Sequence, residues 1–252
     1  MGEKIYNQFM ADIYDISPYF GKDRELIIAN YISILNKYQI TKVLELGTTT
    51  GLLTEAMMQR SIYVDTVDLS LEMQNKAKER IFGYSKKLRK KINFINEDIN
   101  NFISKKKYDA IILADSIFFL AEINKENLLN NCYKLLKKNG IIIFDFFKKD
   151  LNNNMLYNKE MTKLKCKNGK YYIIIVEHNN DIFKRTHRCN FSYIPVKNHN
   201  ESIINFEICY NYLINEEIES YFKEHNFKVE IVEEIFDGYQ IFMVAKKIKK
   251  EV

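Results

Sequence analysis

From about residue 23 to 147, short apolar runs alternate with stretches whose apolar residues recur at three- and four-residue steps. Leu26, Ile27, Tyr31, Ile34, Leu35 and Tyr38 fall near helical spacing, which predicts a helix from Arg24 to Tyr38. The pattern then predicts a strand from Lys42 to Leu46, a helix from Leu52 to Gln59, a strand from Tyr63 to Val67 and a helix from Ser70 to Phe82. Strands follow at Ile92 to Ile95 and Tyr108 to Ala114. A helix from Ile123 to Lys137 is expected to stop at Asn139-Gly140, with lysines in its last turn. Ile141 to Phe146 is an unbroken apolar run and reads as a further strand. Near-continuous hydrophobic strands alternating with helices predict an α/β fold, its parallel sheet covered on both faces.

The period changes between about Lys163 and Tyr212. Tyr171 to Val176, Ile182 to Pro195 and Ser202 to Tyr212 are β-like and lack helical spacing. Asn168-Gly169 is a turn signal between Lys163–Lys167 and Lys170–Val176. These segments predict an antiparallel β insertion late in the chain. The α/β pattern resumes with a helix from Asn215 to Glu224, a strand from Phe227 to Glu233, and a last strand from Tyr239 to Lys246 after Asp237-Gly238. The expected organisation is a core over 1–150 with an N-terminal helical cap, the β insertion over 151–212, and completion of the core sheet by 213–252.

Composition narrows the partners. Hydrophobic residues make up 46% and charged residues 28% of 252 residues, ordinary for a protein that buries a core. No apolar run approaches the roughly 20 residues that cross a bilayer. The start, MGEKIYNQFMADIYD, has no basic-then-apolar leader, so a cytoplasmic location is expected. Cys132, Cys166, Cys189 and Cys209 form no CxxC pair, and the four histidines form no HxH or HxxxH pair. Neither a disulfide framework nor a metal site is expected. The net charge of +5 raises the question of nucleic acid. The one dense basic run, Lys86, Lys87, Arg89, Lys90 and Lys91, comes with no nucleic-acid-binding motif and reads as a solvated loop.

The residues that carry chemistry follow strand ends. Two of the eight glycines fall in one five-residue window, Gly47-Thr48-Thr49-Thr50-Gly51, directly after the first strand and its Glu45. The turn at the carboxyl end of such a strand is where an open α/β sheet places a ligand. Asp68 ends the second strand, and an acid there accepts hydrogen bonds from both hydroxyls of a ribose. Leu69 and Ser70 follow, with Ser70 as a helix cap and Met73 just inside the helix. Asp98 after the third strand suits an exocyclic adenine amine while Ile99 packs on the ring. Asp115 and Ser116 sit at the tip of the fourth strand.

Taken together, Glu45-x-Gly47-x-Thr49-x-Gly51, Asp68, Asp98 and Leu135-Leu136-Lys137-Lys138-Asn139-Gly140 resemble the motifs of class I S-adenosylmethionine-dependent methyltransferases over residues 42 to 147. Two positions depart from that family's pattern: Thr49 replaces the middle glycine, and Lys138-Asn139-Gly140 replaces Pro-Gly-Gly. A dinucleotide dehydrogenase is disfavoured, since the glycine spacing is not GxGxxG. Ala11-Asp12-Ile13-Tyr14-Asp15, Gly21-Lys22-Asp23 and the order of the later half are similar to bacterial nucleotide-linked amino-sugar N,N-dimethyltransferases. The resemblance implies a Rossmann-like sheet, S-adenosyl-L-methionine as cofactor, a β insertion that roofs the substrate site, and a homodimer assisted by that insertion.

The cofactor contacts it implies are Tyr14, Glu45, Gly47, Thr49, Gly51, Asp68, Leu69, Met73, Asp98, Ile99 and Asp115. Ser116, Phe119, His178, Arg185 and Arg188 are the expected substrate contacts, the arginines for a diphosphate. Tyr14 and His178 are the candidates for catalysis, Tyr14 by closing over the cofactor and His178 by taking a proton. Methyl transfer from a sulfonium is an in-line displacement, and no residue arrangement marks the dedicated base an alcohol would need. The acceptor is therefore expected to be a small-molecule amine. O-methylation of a small metabolite, methylation of RNA or protein, and a non-catalytic cofactor-binding module are the alternatives.

Overall fold

In the computed structural model, which describes residues 5–21, 23–147, 157–196, 202–236 and 240–249, the apolar runs become strands of two separate sheets. The first half supplies α1 (Gln8–Ile13), α2 (Arg24–Lys37), β1 (Lys42–Leu46), α3 (Leu52–Gln59), β2 (Tyr63–Asp68), α4 (Leu71–Ile81), the one-turn α5 (Lys86–Arg89), β3 (Ile92–Asn96), β4 (Tyr108–Leu113), α6 (Lys125–Leu135) and β5 (Leu136–Phe147). The second supplies β6 (Tyr157–Lys165), β7 (Tyr171–Asp181), β8 (Thr186–Pro195), β9 (Ile204–Asn211), α7 (Asn215–Glu224), β10 (Phe227–Ile235) and β11 (Gln240–Lys247).

Seven strands lie in the order β10-β11-β5-β4-β1-β2-β3. β1 to β5 run parallel, and β11 is antiparallel to both β5 and β10. The apolar strands are buried on both faces because successive side chains point to opposite sides. Ile111, Leu113, Ile142, Phe144, Ile241 and Met243 pack under Phe118, Leu128, Leu129 and Phe222. Ala110, Ile112, Ile141, Ile143, Phe242 and Val244 face the other way, onto Ile27, Tyr31, Leu35, Leu53 and Met57. The unbroken β5 run is thus the signature of two cores sharing one sheet.

β6 to β9 form a four-stranded antiparallel sheet. Gly169 turns β6 into β7 at φ +81. Tyr172, Ile174, Val176, Phe191 and Tyr193 bury against Met10, Ala11, Ile13 and Tyr14 of the N-terminal segment and Met73 of α4. That segment therefore ties the two sheets together.

Several boundaries differ from the sequence reading, the largest at β6, which begins at Tyr157 and not at Lys163. The α6 helix stops at Leu135, before Lys137, and β5 begins at once with an irregular ladder that pairs Tyr108 with Leu136 and Ala110 with Ile141. Asn139, at φ +67, takes the left-handed conformation inside β5. β7 continues through Asp181, and the turn lies at 182–185, inside what reads as one β run from Ile182. Lys86–Arg89 closes one helical turn capped by Ser85 where a loop is expected. Lys22, Asp237, Gly238 and Tyr239 lie outside the described residues. Among the described residues no helix is long and apolar enough to cross a membrane.

Candidate active site

The carboxyl ends of β1, β2, β3 and β4, the N-terminal segment and the antiparallel sheet enclose one cleft of about 1350 Å³. Its floor is the glycine turn. Gly47 sits at φ +91, and its N–H donates to the Val67 carbonyl at 2.8 Å. A Cβ there would lie 2.1 Å from Ile117 Cδ1. Thr49 also adopts a positive φ, +48, a conformation that costs an L-residue about 1 kcal/mol. Its N–H donates to Asp68 Oδ2 at 2.9 Å, which holds the loop against the tip of β2.

Asp68 lines the cleft and accepts a second backbone bond, from Ser70 N–H to Oδ1 at 2.8 Å. Burial pushes its carboxyl up to about 6, against the pull of those backbone donors. Ser70 caps α4, its hydroxyl accepting from Met73 N–H at 3.1 Å. Leu69, Met73, Asp98 and Ile99 line the same side. Asp98 Oδ1 accepts from the Asn100 N–H at 2.9 Å.

Asp115 and Ser116 take successive left-handed conformations, at φ +58 and +59. Such strain concentrates at sites where side chains are held for a purpose. Asp115 pairs with the Arg24 guanidinium, which also donates to the Tyr14 hydroxyl at 3.3 Å. Asp115 N–H donates to Asp145 Oδ1 at 2.8 Å. Asp145 is fully buried, and burial together with the Asp115 charge pushes its carboxyl up to about 6. The buried Ser116 hydroxyl has no hydrogen-bond partner among the described residues.

The roof comes from β7, β8 and β9: His178, Cys189, Phe191 and Tyr210 face down into the cleft. Tyr6, Tyr14, Tyr19 and Phe20 close one side. Tyr14 stacks on Phe20 with centroids 5.2 Å apart, and burial holds its phenol well above the ordinary range. The lining is acidic despite the chain's positive balance. Asp23, Asp68, Asp98, Asp115, Glu122, Glu160 and Glu216 line it, and Arg24 is the one lysine or arginine that does so among the described residues.

Of the residues expected at the site, Tyr14, Gly47, Thr49, Asp68, Leu69, Met73, Asp98, Ile99, Asp115, Ser116, Phe119 and His178 line the cleft. Four others do not. Glu45 is 1% exposed and turned into the core, where Thr54 and Thr66 hydroxyls donate to its Oε2 at 2.5 and 2.7 Å; burial pushes its carboxyl up to about 7. Gly51 packs away from the cleft, with a would-be Cβ 2.5 Å from Ala77 Cβ. Arg185 is bound by Glu217 at the start of α7, through Nη2 to Oε2 at 2.7 Å. Arg188 is exposed, because strand alternation turns it away from the face that carries His187 and Cys189.

Comparisons with known proteins give the family. A methyltransferase domain model matches residues 43–140. Malonyl-[acyl-carrier protein] O-methyltransferase 2 of Ilyobacter polytropus is 27% identical over 150 residues, which are 59% of this chain and 55% of that protein. The chain therefore spans about half the length of that relative. Phosphoethanolamine N-methyltransferase of Plasmodium falciparum is 26% identical over 200 residues, 78% of this chain and 68% of its own. An uncharacterized methyltransferase of Geobacillus sp. strain WCH70 is 30% identical over 152 residues, 57% of this chain and 68% of its own. The chain belongs to the S-adenosylmethionine-dependent methyltransferases.

Solved structures show that this methyltransferase shares the class I fold along nearly its whole length. A Clostridium acetobutylicum S-adenosylmethionine-dependent methyltransferase superposes with TM-score 0.74 at 20% identity, covering 96% of this chain and 99% of that one. CalS10, an amino pentose methyltransferase from Micromonospora echinaspora bound to S-adenosylmethionine, gives TM-score 0.72 at 14% identity, covering 90% and 93%. S-adenosylmethionine is the cofactor of this family. The methyltransferase cleft also holds residues that the sequence reading missed: Arg24, Tyr6, Glu122 and Glu160 gave no local signal. His187-x-Cys189 gave one, since residues two apart on a strand share a face.

Proposed function

We propose that the chain transfers the methyl group of S-adenosylmethionine to a small-molecule amine, and that the amino-sugar class is the first to test. The observation that carries this reading is the single cleft, in which the ligand turn of the parallel sheet and the roof of the antiparallel sheet face each other. Its volume of about 1350 Å³ exceeds the roughly 300–1,000 Å³ of a one-ligand pocket and suits a cofactor with a small acceptor beside it. The acidic lining supports a basic acceptor, which arrives as an ammonium ion and is held by carboxylates. The likeness to a phosphoethanolamine N-methyltransferase and to an amino pentose methyltransferase supports the same reading.

In this reading Gly47 and Thr49 hold the methionine end, Asp68 the ribose hydroxyls, and Asp98 with Ile99 the adenine. Tyr14, braced by Arg24, closes over the sulfonium. The bound cofactor supplies an electrophilic methyl group, so the protein's own task is to align the nitrogen and exclude water. Glu160 lines the cleft with His178 Nε2 3.7 Å from its Oε1, and the proton the amine gives up leaves through solvent. The two insertion arginines point elsewhere, so a diphosphate on the acceptor would find no cation there. A free amino sugar or other small amine fits this lining better than a nucleotide-linked one. The exposed edge strand β6, with Tyr157 and Met161 at its surface, supports a homodimer through the insertion, which sedimentation would read directly.

The test pairs each small amine with its hydroxyl counterpart, and mass spectrometry follows both methylated product and S-adenosylhomocysteine. Turnover of amines alone is expected. Turnover confined to the hydroxyl compounds would overturn the amine reading.

A further inference from the structure

His178, His187 and Cys189 bring three ligand atoms together in the roof of the cleft. They come from two neighbouring strands. The antiparallel register sets His178 of β7 directly opposite Cys189 of β8, and His187 shares the Cys189 face two residues away. Cys189 Sγ is 3.1 Å from His187 Nε2 and 3.4 Å from His178 Nδ1, and the two nitrogens are 3.4 Å apart. Two imidazoles and a thiolate on one tetrahedral zinc ion would stand about 3.3 Å apart between nitrogens and about 3.6 Å between nitrogen and sulfur. The triangle in the roof is close to one face of that tetrahedron.

The surroundings orient the His187 ring as a metal requires. His187 Nδ1 meets Asn180 Oδ1 at 2.7 Å and so carries the proton, which leaves the Nε2 lone pair toward the centre of the trio. Tyr212 donates to the same Asn180 oxygen at 2.6 Å, fixing the carboxamide. His178 presents Nδ1 to the trio, and its Nε2 lies 3.7 Å from Glu160 Oε1, too long for a hydrogen bond to that atom. The Asn180 contact on the outer nitrogen of His187 is of the kind that fixes the tautomer of a ligating histidine.

We propose that His178, His187 and Cys189 form a binding site for a divalent transition metal of the zinc class, through Nδ1, Nε2 and Sγ. Binding as a thiolate releases the Cys189 proton to solvent, so metal and proton exchange one for one at that atom. All three residues line the cleft, so the fourth position opens onto the acceptor, the arrangement of zinc sites that bind a substrate or water rather than only brace a fold. If the acceptor is an amine, which rests on the function proposed above, the ion holds it by an oxygen group. An amine bound to the metal would have its lone pair engaged and could not attack the methyl carbon.

The test uses the untagged full chain, stripped with a chelator and titrated with cobalt(II), whose bands report geometry and ligand type. The expected result is one equivalent bound with the intense visible bands of four-coordinate cobalt and a thiolate-to-cobalt charge-transfer band, both removed by added zinc. Cys189→Ser should abolish the charge-transfer band while S-adenosylhomocysteine still binds, which shows the fold intact. Asn180→Ala should keep the band and weaken metal binding by about 10-fold or more. Stoichiometric cobalt without the thiolate band, the same band in Cys189→Ser, or no cobalt bound by the wild-type chain would each overturn the proposal. None of these readouts depends on methyl transfer, so the metal site and the amine reading fail separately.

Discussion

The carboxyl of Asp68 should make cofactor affinity fall and ligand-free stability rise over the same range of acidification. Burial holds this group at about 6 in the folded protein, against an ordinary value of 3.8. Ser70 and Thr49 N–H groups already donate to it, and the side chain lines the cleft, where ionised oxygens would receive the ribose hydroxyls. If binding needs the ionised form, Kd scales as one plus the ratio of protonated to ionised carboxyl. The complex is then about 10-fold weaker at about pH 5 than at about pH 7, equal to about 1.4 kcal/mol. For stability the sign is opposite. A carboxyl raised in the folded state binds more protons there than in the unfolded chain, so its stabilising contribution is complete below its ordinary range and is lost as pH rises through about 6. Glu45, raised to about 7, acts in the same direction. Equilibrium dialysis with labelled S-adenosylhomocysteine across this range, beside thermal melts without ligand, reads both effects. Asp68→Asn should bind weakly at neutral pH and lose most of the pH slope. An affinity unchanged between pH 5 and 8, or the full slope retained in Asp68→Asn, would refute the reasoning.

Further predictions rest on particular contacts. Gly51→Ala combines a φ of +80 with a Cβ 2.5 Å from Ala77 Cβ and 2.9 Å from its Cα, and should cost about 3 kcal/mol in urea unfolding. Gly169→Ala, at φ +81 with nothing within 4 Å, should cost only about 1 kcal/mol, so equal losses would contradict the packing argument. Arg24→Ala leaves Asp115 beside the buried Asp145 without its cation and should cost about 3 kcal/mol; Asp115→Asn should restore part of it, and additive losses in the double-mutant cycle would be the contrary result. Ser70→Ala removes the cap of α4 and should cost about 1 kcal/mol, with no loss expected if Met73 N–H finds another acceptor.

The parallel half of the fold was legible because its strands are buried on both faces, and continuous apolar runs such as Ile141–Phe146 have no other ready explanation. Residues on the parallel-sheet side of the cleft were legible because they follow strand ends in order. Boundaries were harder where two signals compete. Asn139-Gly140 looks like a helix stop, yet Leu136 is buried and paired with Tyr108, so the chain enters β5 first and bulges there. The roof was only partly legible. Alternation tells that Arg188 and Cys189 face opposite ways, but not which way is inward, and the arginines were read as inward. The β-like run is expected to end at Val176, while the ladder continues through His178, opposite Cys189. Arg24 was out of reach, since its partner Asp115 lies 91 residues away and no periodicity links them.

Calorimetric titration of the wild-type chain and Asp68→Ala with S-adenosylmethionine and S-adenosylhomocysteine tests the central claim most directly. One-to-one binding of both compounds by the wild-type chain, lost in Asp68→Ala without loss of fold, is the predicted result. A folded wild-type chain that binds neither compound would contradict the account.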